Sequence, residues 1–339
     1  MRITIVGFGV VGQSLARVLL LRHNDLVKSY GINPKVVAIV DKDGAAVNPK
    51  GLDLEKMLTV VKQKKSVAFD EIYGHEGMSA IDVIEKNEAE VVVEVTPTNI
   101  KTGEPGLSHI KAALKSGKNV VTTNKGPLAI ALPALTELAE YNKVFLRFSG
   151  TVGGGTPILD LAKRCLQGDR IISVRGILNG TTNYILTEMS GKDLSFQEAL
   201  KNAQKLGYAE AEPSMDVDGF DAACKLVIIA NWVMNKKATL KDVKIQGIRG
   251  VTTKDLKEAA KRNHALKLIG SINGDLNVMP TEISRDDPLC VGGNLNAVTF
   301  LSEFAGEETI IGRGAGGIET ASSVIRDLID IKQNLSIRI

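Results

Sequence analysis

RITIVGFGVVGQSLARVLLL, residues 2–21, decides the fold. Residues 2–6 are a short apolar, β-branched run, the composition of a buried strand. GFGVVG follows at once, and the apolar spacing beyond it is helical. Gly7, Gly9 and Gly12 thus form GxGxxG between a strand and a helix. The first glycine allows a tight turn, the second lets the backbone approach a pyrophosphate, and the third lets helix and strand pack closely. The helix N-terminus favours the phosphate charge. The spacing alone is a weak signal, and its strand–turn–helix context is what points to a dinucleotide. The competing reading is a purely structural glycine turn. On the dinucleotide reading, Gly7, Phe8, Gly9, Val10, Val11 and Gly12 face the cofactor.

KVVAIVD (35–41) is a second strand closed by an acid. Asp41 is expected to accept hydrogen bonds from the adenosine ribose, which favours NAD over NADP. Its distance from Gly12 exceeds the usual spacing of about 20 residues, and residues 23–34 read as an inserted loop that accounts for the excess. Lys42 and Lys50 are either solvated loop charges or partners for a 2′-phosphate, so both NAD and NADP remain open. A loop with Gly44, Pro49 and Gly51 leads to a helix near 53–65. Further strands are expected at 90–96 (EVVVEVT), 119–124 (NVVTTN) and 143–148 (KVFLRF), with helices at 107–117 and 128–142. Strands that are runs of Val and Ile, alternating with helices, make a parallel sheet covered on both faces. Open sheets of this kind bind ligands at the carboxyl ends of their strands. Thr96, Thr123 and Lys125 fall there; Lys125 is either catalytic or a plain loop lysine.

GTVGGGT (150–156) holds four glycines in seven residues and marks a crossing between domains. Beyond it, helices and less uniformly apolar strands alternate irregularly, ending in a glycine-rich turn and a terminal helix from 312 onward. The expected organisation is α/β: a Rossmann-type domain over 1–150, completed by 312–339, and an α+β substrate and dimerisation domain over 151–311.

In LGYAEAEPSMDVDGFDAACK (206–225) four acids precede an apolar helix on which Asp221 and Lys225 stand four residues apart. That spacing puts them on one face. The bland reading is an exposed helix-stabilising pair, with Asp218 as a helix cap and Asp221 as its first-turn acid. The apolar run that follows leaves little solvated surface, which favours a buried or cleft-lining pair. NGTTNY (179–184) starts a helix, either as an ordinary N-cap or as a backbone cradle for a carboxylate.

The 339 residues carry 44% apolar and 24% charged side chains and a net charge of +3, ordinary values for a soluble globular chain. Neither that charge nor the 4% aromatic content suits a nucleic-acid binder. No apolar run is long enough to span a membrane. Three widely separated cysteines show no zinc spacing, and with Met1 leading straight into the first strand a cytoplasmic location is expected.

With these residues in view, the chain resembles homoserine dehydrogenase. The likeness covers GFGVVG, TTNKGPLA, GTVGGGTPI, GILNGTTNYIL, LGYAEAEPSMDVDGFDAACKL and GRGAGGIETAS, six motifs in the family's order. The resemblance implies interconversion of L-aspartate 4-semialdehyde and L-homoserine with NAD or NADP, in a homodimer. It implies Lys225 as acid/base with Asp221 as its partner, and Lys125 beside the reacting carbonyl. Glu210 would bind the substrate ammonium, with Tyr208 and Asp216 lining the pocket and Gly180 and Thr181 on the carboxylate. Gly316 would close over the cofactor. A monovalent cation such as Na+ would be held by the main-chain carbonyls of Ser149, Val152, Gly154 and Thr156; the family opens this motif with Glu and Ala where this chain has Ser149 and Gly150. Many relatives add a C-terminal amino-acid-sensing domain, and none is expected here, so no threonine feedback through one.

Two rivals share the dinucleotide signature. An acyl-forming semialdehyde dehydrogenase needs a Cys–His nucleophile pair, which Cys165, Cys224 and Cys290 do not suggest by context. A non-catalytic dinucleotide sensor has no use for Lys125, Glu210, Asp221 and Lys225 together.

Overall fold

The structure, a computed structural model, describes residues 1–337. The chain divides into two compact units, Met1–Thr151 with the described residues from Gly316 onward, and Val152–Ala315.

The first unit runs β1 (Arg2–Val6), α1 (Val10–Tyr30), β2 (Lys35–Asp41), β3 (Gly44–Val47), α2 (Leu54–Lys64), β4 (Gly74–Glu76), α3 (Ala80–Lys86), β5 (Val91–Glu94), α4 (Gly106–Lys115), β6 (Asn119–Thr122), α5 (Lys125–Tyr141) and β7 (Leu146–Arg147). Its seven strands lie in the order β4-β3-β2-β1-β5-β6-β7. From β2 to β7 the pairing is parallel, with Ile3 opposite Val36 and Val91. Ile3, Ile5, Leu15, Ile39, Val91 and Val93 are fully buried between the helical layers, which is why these strands read as unbroken apolar runs.

Two expectations are corrected. Residues 23–34 are not an inserted loop: α1 continues to Tyr30 because Leu26 is buried. Gly31, at φ 63°, ends the helix, its N–H donating to Val27 O and that of Ile32 to Leu26 O. The supposed loop after Asp41 holds β3, antiparallel to β2, with β4 antiparallel to β3, so the parallel sheet carries an antiparallel edge.

The second unit contains α6 (Ile158–Asp160), β8 (Ile171–Ile177), α7 (Gly180–Lys192), α8 (Phe196–Lys205), α9 (Ser214–Val217), α10 (Phe220–Trp232), β9 (Val243–Ile245), α11 (Thr253–Lys261), β10 (His264–Asn273), β11 (Asp275–Ser284), β12 (Leu295–Ser302) and β13 (Gly306–Arg313). Its sheet has the order β13-β12-β8-β10-β11-β9 and is antiparallel apart from the β11–β9 pair. Both α7 and α10 pack on β10. Lys267 on β10 is buried beneath α7, where its Nζ donates to Asn183 Oδ1 at 2.8 Å and Thr187 Oγ1 at 3.2 Å. Burial among neutral acceptors pushes its amine down to about 8.

The last helix, α12 (Gly317–Ile337), belongs to the first unit and packs along α1. Arg147 is ion-paired to Asp330, and Ser149 N donates to Asp327 Oδ2 at 3.0 Å. Among the described residues no helix is long and apolar enough to cross a membrane.

Candidate functional site

In the first unit the glycine turn has the geometry its spacing demands. Gly7 adopts φ 102°, and a Cβ there would fall 2.7 Å from the Val95 carbonyl group and 2.9 Å from Thr96 N. A Cβ on Gly12 would fall 2.2 Å from Gly7 O. Both must therefore be glycine for β1, α1 and the segment after β5 to meet. At Gly9 a Cβ would meet nothing within 4 Å, and no side chain caps the α1 N-terminus. An open cradle beside unpaired helix N–H groups fits a pyrophosphate. Phe8 is buried, Val10 is exposed and Val11 half-buried. Gly316 sits at the start of α12, and a Cβ on the next residue, Gly317, would lie 2.5 Å from Ser14 Oγ of α1. The glycine turn before α12 is thereby held beside the phosphate-binding turn.

Asp41 closes β2 as expected. Its carboxylate already accepts from Ser66 Oγ at 2.7 Å, Val67 N at 2.8 Å and Asp43 N at 3.1 Å. These bonds fix its orientation and leave about one lone-pair position for a ribose hydroxyl. Thr96 and Thr123 follow β5 and β6, at the carboxyl edge of the sheet. Lys125 is not a loop residue but the first residue of α5, capped by Asn124, whose Oδ1 accepts from Gly126 N at 3.2 Å. A lysine in the first turn opposes the helix dipole, so its placement brings the helix no stability and suits a role toward a ligand.

In the second unit Asp221 and Lys225 are buried on α10, with 11% and 8% of their side chains exposed. Lys225 Nζ donates to Asp221 Oδ2 at 2.7 Å and to the main-chain oxygen of Leu178 at 2.7 Å. Two of the three N–H groups of an ammonium are thus engaged, leaving one for an incoming oxygen. Asn179 organises the rest. Its Oδ1 accepts from Thr182 N at 2.8 Å as the N-cap of α7. Its Nδ2 donates to Asp216 Oδ1 at 2.6 Å and Asp221 Oδ2 at 2.9 Å. The cap reading of NGTTNY therefore holds, and the same side chain also joins Asp216 to Asp221. Burial, and then the neighbouring Asp221 charge, push the Asp216 carboxyl above its ordinary range.

Asp218 does not cap α10. Gly219, at φ 89°, occupies that position, and Asp218 is ion-paired with Arg249. Gly180 opens α7, and the hydroxyl of Thr181 donates to Tyr208 O at 2.7 Å, tying the helix start to the 206–211 segment. Tyr208 packs edge-on against Tyr184 with ring centroids 5.0 Å apart. Glu210 is exposed on that segment, where its main-chain oxygen accepts from Gln204 Nε2. Thus Asn179, Asp216, Asp221 and Lys225 form one hydrogen-bonded cluster, with Gly180, Thr181 and Tyr208 around the helix start and the Glu210 side chain outside it. The carbonyl of Leu178 is a partner that sequence could not reveal, since a main-chain oxygen carries no residue signature.

In the 149–156 segment Ser149, Val152 and Thr156 are buried and Gly153 and Gly154 take left-handed conformations. The carbonyl of Thr156 accepts from Ile158 N at 2.8 Å, so it enters any cation shell with one lone pair engaged.

Comparison with known proteins gives the family. The family model for the homoserine dehydrogenase NAD binding domain matches residues 7–149, and that for homoserine dehydrogenase matches residues 157–329. The chain is 48% identical over 332 residues to homoserine dehydrogenase of Methanocaldococcus jannaschii, with 98% of each chain covered. It is 39% identical to an NAD(+)-dependent homoserine dehydrogenase of Pseudomonas canavaninivorans, covering 98% of this chain and 96% of the relative. A hyperthermophilic archaeal homoserine dehydrogenase in complex with NADPH superposes with a TM-score of 0.86 at 29% identity, with 98% of each chain covered. The chain belongs to the homoserine dehydrogenase family, NAD(P)-dependent oxidoreductases, and takes their two-domain α/β fold.

Proposed function

We propose that this enzyme reduces L-aspartate 4-semialdehyde to L-homoserine, reversibly, with Lys225 as the proton donor. The bound dinucleotide supplies the hydride to the aldehyde carbon. The charge that develops on the carbonyl oxygen needs a positive donor, and Lys225 delivers the proton that completes the alcohol. Asp221 and Leu178 O hold the amine in place, and Lys225 regains its proton from solvent after each turnover. Lys125 is assigned as a second positive group toward the carbonyl. Asp216 and Glu210 answer the substrate ammonium, Tyr208 lines that side, and the N–H groups of Gly180 and Thr181 at the start of α7 receive the carboxylate.

The observation that carries this reading is a lysine buried in an apolar helix, its amine aimed by a carboxylate and a carbonyl with one N–H left over. Replacing Lys225 with Ala abolishes turnover and leaves NAD(P)H binding intact; near-normal turnover in that variant refutes the assignment.

Asp41 favours NAD, while Lys42 and Lys50, both exposed, leave NADP accessible; paired assays with the two cofactors decide between them. The carbonyls of Ser149, Val152, Gly154 and Thr156 would hold a monovalent cation such as Na+, a structural role with no part in proton transfer. A homodimer through the second unit is proposed from the likeness to the homoserine dehydrogenase family. A cytoplasmic location is supported by three cysteines that form no disulfide among the described residues.

A further inference from the structure

Glu94, the last residue of β5, is 0% exposed. Its Oε1 accepts from Thr96 N at 3.0 Å and from the Thr96 hydroxyl, and its Oε2 accepts from Thr122 Oγ1 at 3.0 Å. Asn124 Nδ2 donates to Thr96 O at 3.2 Å, so the carboxylate and this amide bind the segment after β5 to the segment that starts α5. His109 Nδ1, buried on α4 and without a hydrogen-bond partner, lies 3.9 Å from Oε1. Three donors around an acceptor-only group suit a carboxylate, and the lysine-bearing α5 begins three residues beyond Thr122.

The position matters more than the burial. Thr96 N, which binds Glu94, is also where a Cβ on Gly7 would collide. The anion therefore lies just beneath the glycine turn that cradles the pyrophosphate. A dinucleotide crosses such a sheet at the β1–β5 switch point. With the adenosine directed to Asp41 at the end of β2, its other half must lie over the ends of β5 and β6. Glu94 is the buried charge under that half.

We propose that Glu94 is a positioning residue that biases the bound cofactor toward its oxidised form. The oxidised nicotinamide ring is positive and the reduced ring neutral, while the pyrophosphate and adenosine are identical in both. Any loss of loop order weakens the two forms alike. The charge of Glu94 acts on the oxidised ring and not on the neutral one, so the ratio of the two dissociation constants, read against the charge-keeping Glu94→Asp variant, isolates it.

The test is isothermal titration calorimetry with NAD+ and NADH separately (or NADP+ and NADPH), with no amino-acid substrate present. It requires no turnover, so its outcome is independent of the assignment of Lys225. Glu94→Gln keeps the shape and should weaken NAD+ relative to NADH by about fivefold or more, as expected for one lost charge at an effective dielectric near 20. Glu94→Asp disturbs the hydrogen bonds but keeps the charge, and should leave the ratio within about twofold of wild type. Should Glu94→Gln not fold, His109→Lys sets an ammonium against the unaltered carboxylate and must shift the ratio in the same direction. An unchanged ratio in the charge-altering variants, or an equal shift in Glu94→Asp, overturns the proposal.

Discussion

Removing one partner of the Asp221–Lys225 pair tests whether this site is the buried, mutually dependent cluster described above. The contact is 2.7 Å with at most 11% of either side chain exposed. An exposed i,i+4 pair is worth only about 0.3–0.5 kcal/mol. Breaking a buried one typically costs about 3–5 kcal/mol, because a charge is left without compensation. Asp221→Ala leaves the Lys225 amine with the Leu178 carbonyl and the more distant Asp216, which places the expected loss near the lower end, about 3 kcal/mol. Lys225→Met removes the cation beside Asp216 and Asp221, which share the Asn179 amide donor. That variant should cost at least as much at neutral pH and recover stability on acidification, as one carboxyl takes up a proton. The double variant Asp221→Leu/Lys225→Met simply continues the apolar surface of α10 and should lie within about 1 kcal/mol of wild type, far from the sum of the single changes. Urea unfolding is followed through Trp232, the single tryptophan of the chain, which ends α10 itself. Single variants that each lose under about 1 kcal/mol, and that add in the double, would show a solvated pair and refute the reasoning.

Lys267 should govern an alkaline stability change. Its native value near 8 lies below the unfolded value of 10.5, so between those limits the unfolded chain binds the extra proton. Stability contributed by this group therefore rises with pH across that window, by up to about 3 kcal/mol. Replacing Lys267 with Met should raise stability at pH 7 and flatten the variant-minus-wild-type difference above pH 10, as read by denaturant melts. Gly12→Ala drives a Cβ into Gly7 O and should weaken NAD(P) binding about tenfold or more by calorimetry, whereas tight binding would mean that the turn relaxes cheaply. Light scattering at micromolar concentration should give the mass of two chains, and a monomer would remove the proposed dimer.

Much of the fold was legible because it is written in local periodicity. The strand at 2–6, the glycine turn, the strand closed by Asp41 and the helix starting at Gly180 each carry their signal within ten residues or so. The misreadings share a cause. Strands β3, β4 and β9 are only three or four residues long, too short for a pattern, and exist because a neighbouring strand offers an unpaired edge. The end of α1 was missed because polar residues 22–25 hide a single buried Leu26 and a glycine cap.

The site divides along the same line. Chain order alone puts Asp221 and Lys225 on one helical face, since a rise of 1.5 Å and 3.6 residues per turn are properties of the backbone. It could not say that Leu178 O and Asn179, more than forty residues earlier, complete that pair, nor that Glu94 in an apolar run meets Thr122 and the base of the Gly7 turn. Those contacts depend on which strands become neighbours. Neighbours are chosen by burying apolar faces over the whole unit, a sum of many small terms that no local stretch of sequence contains.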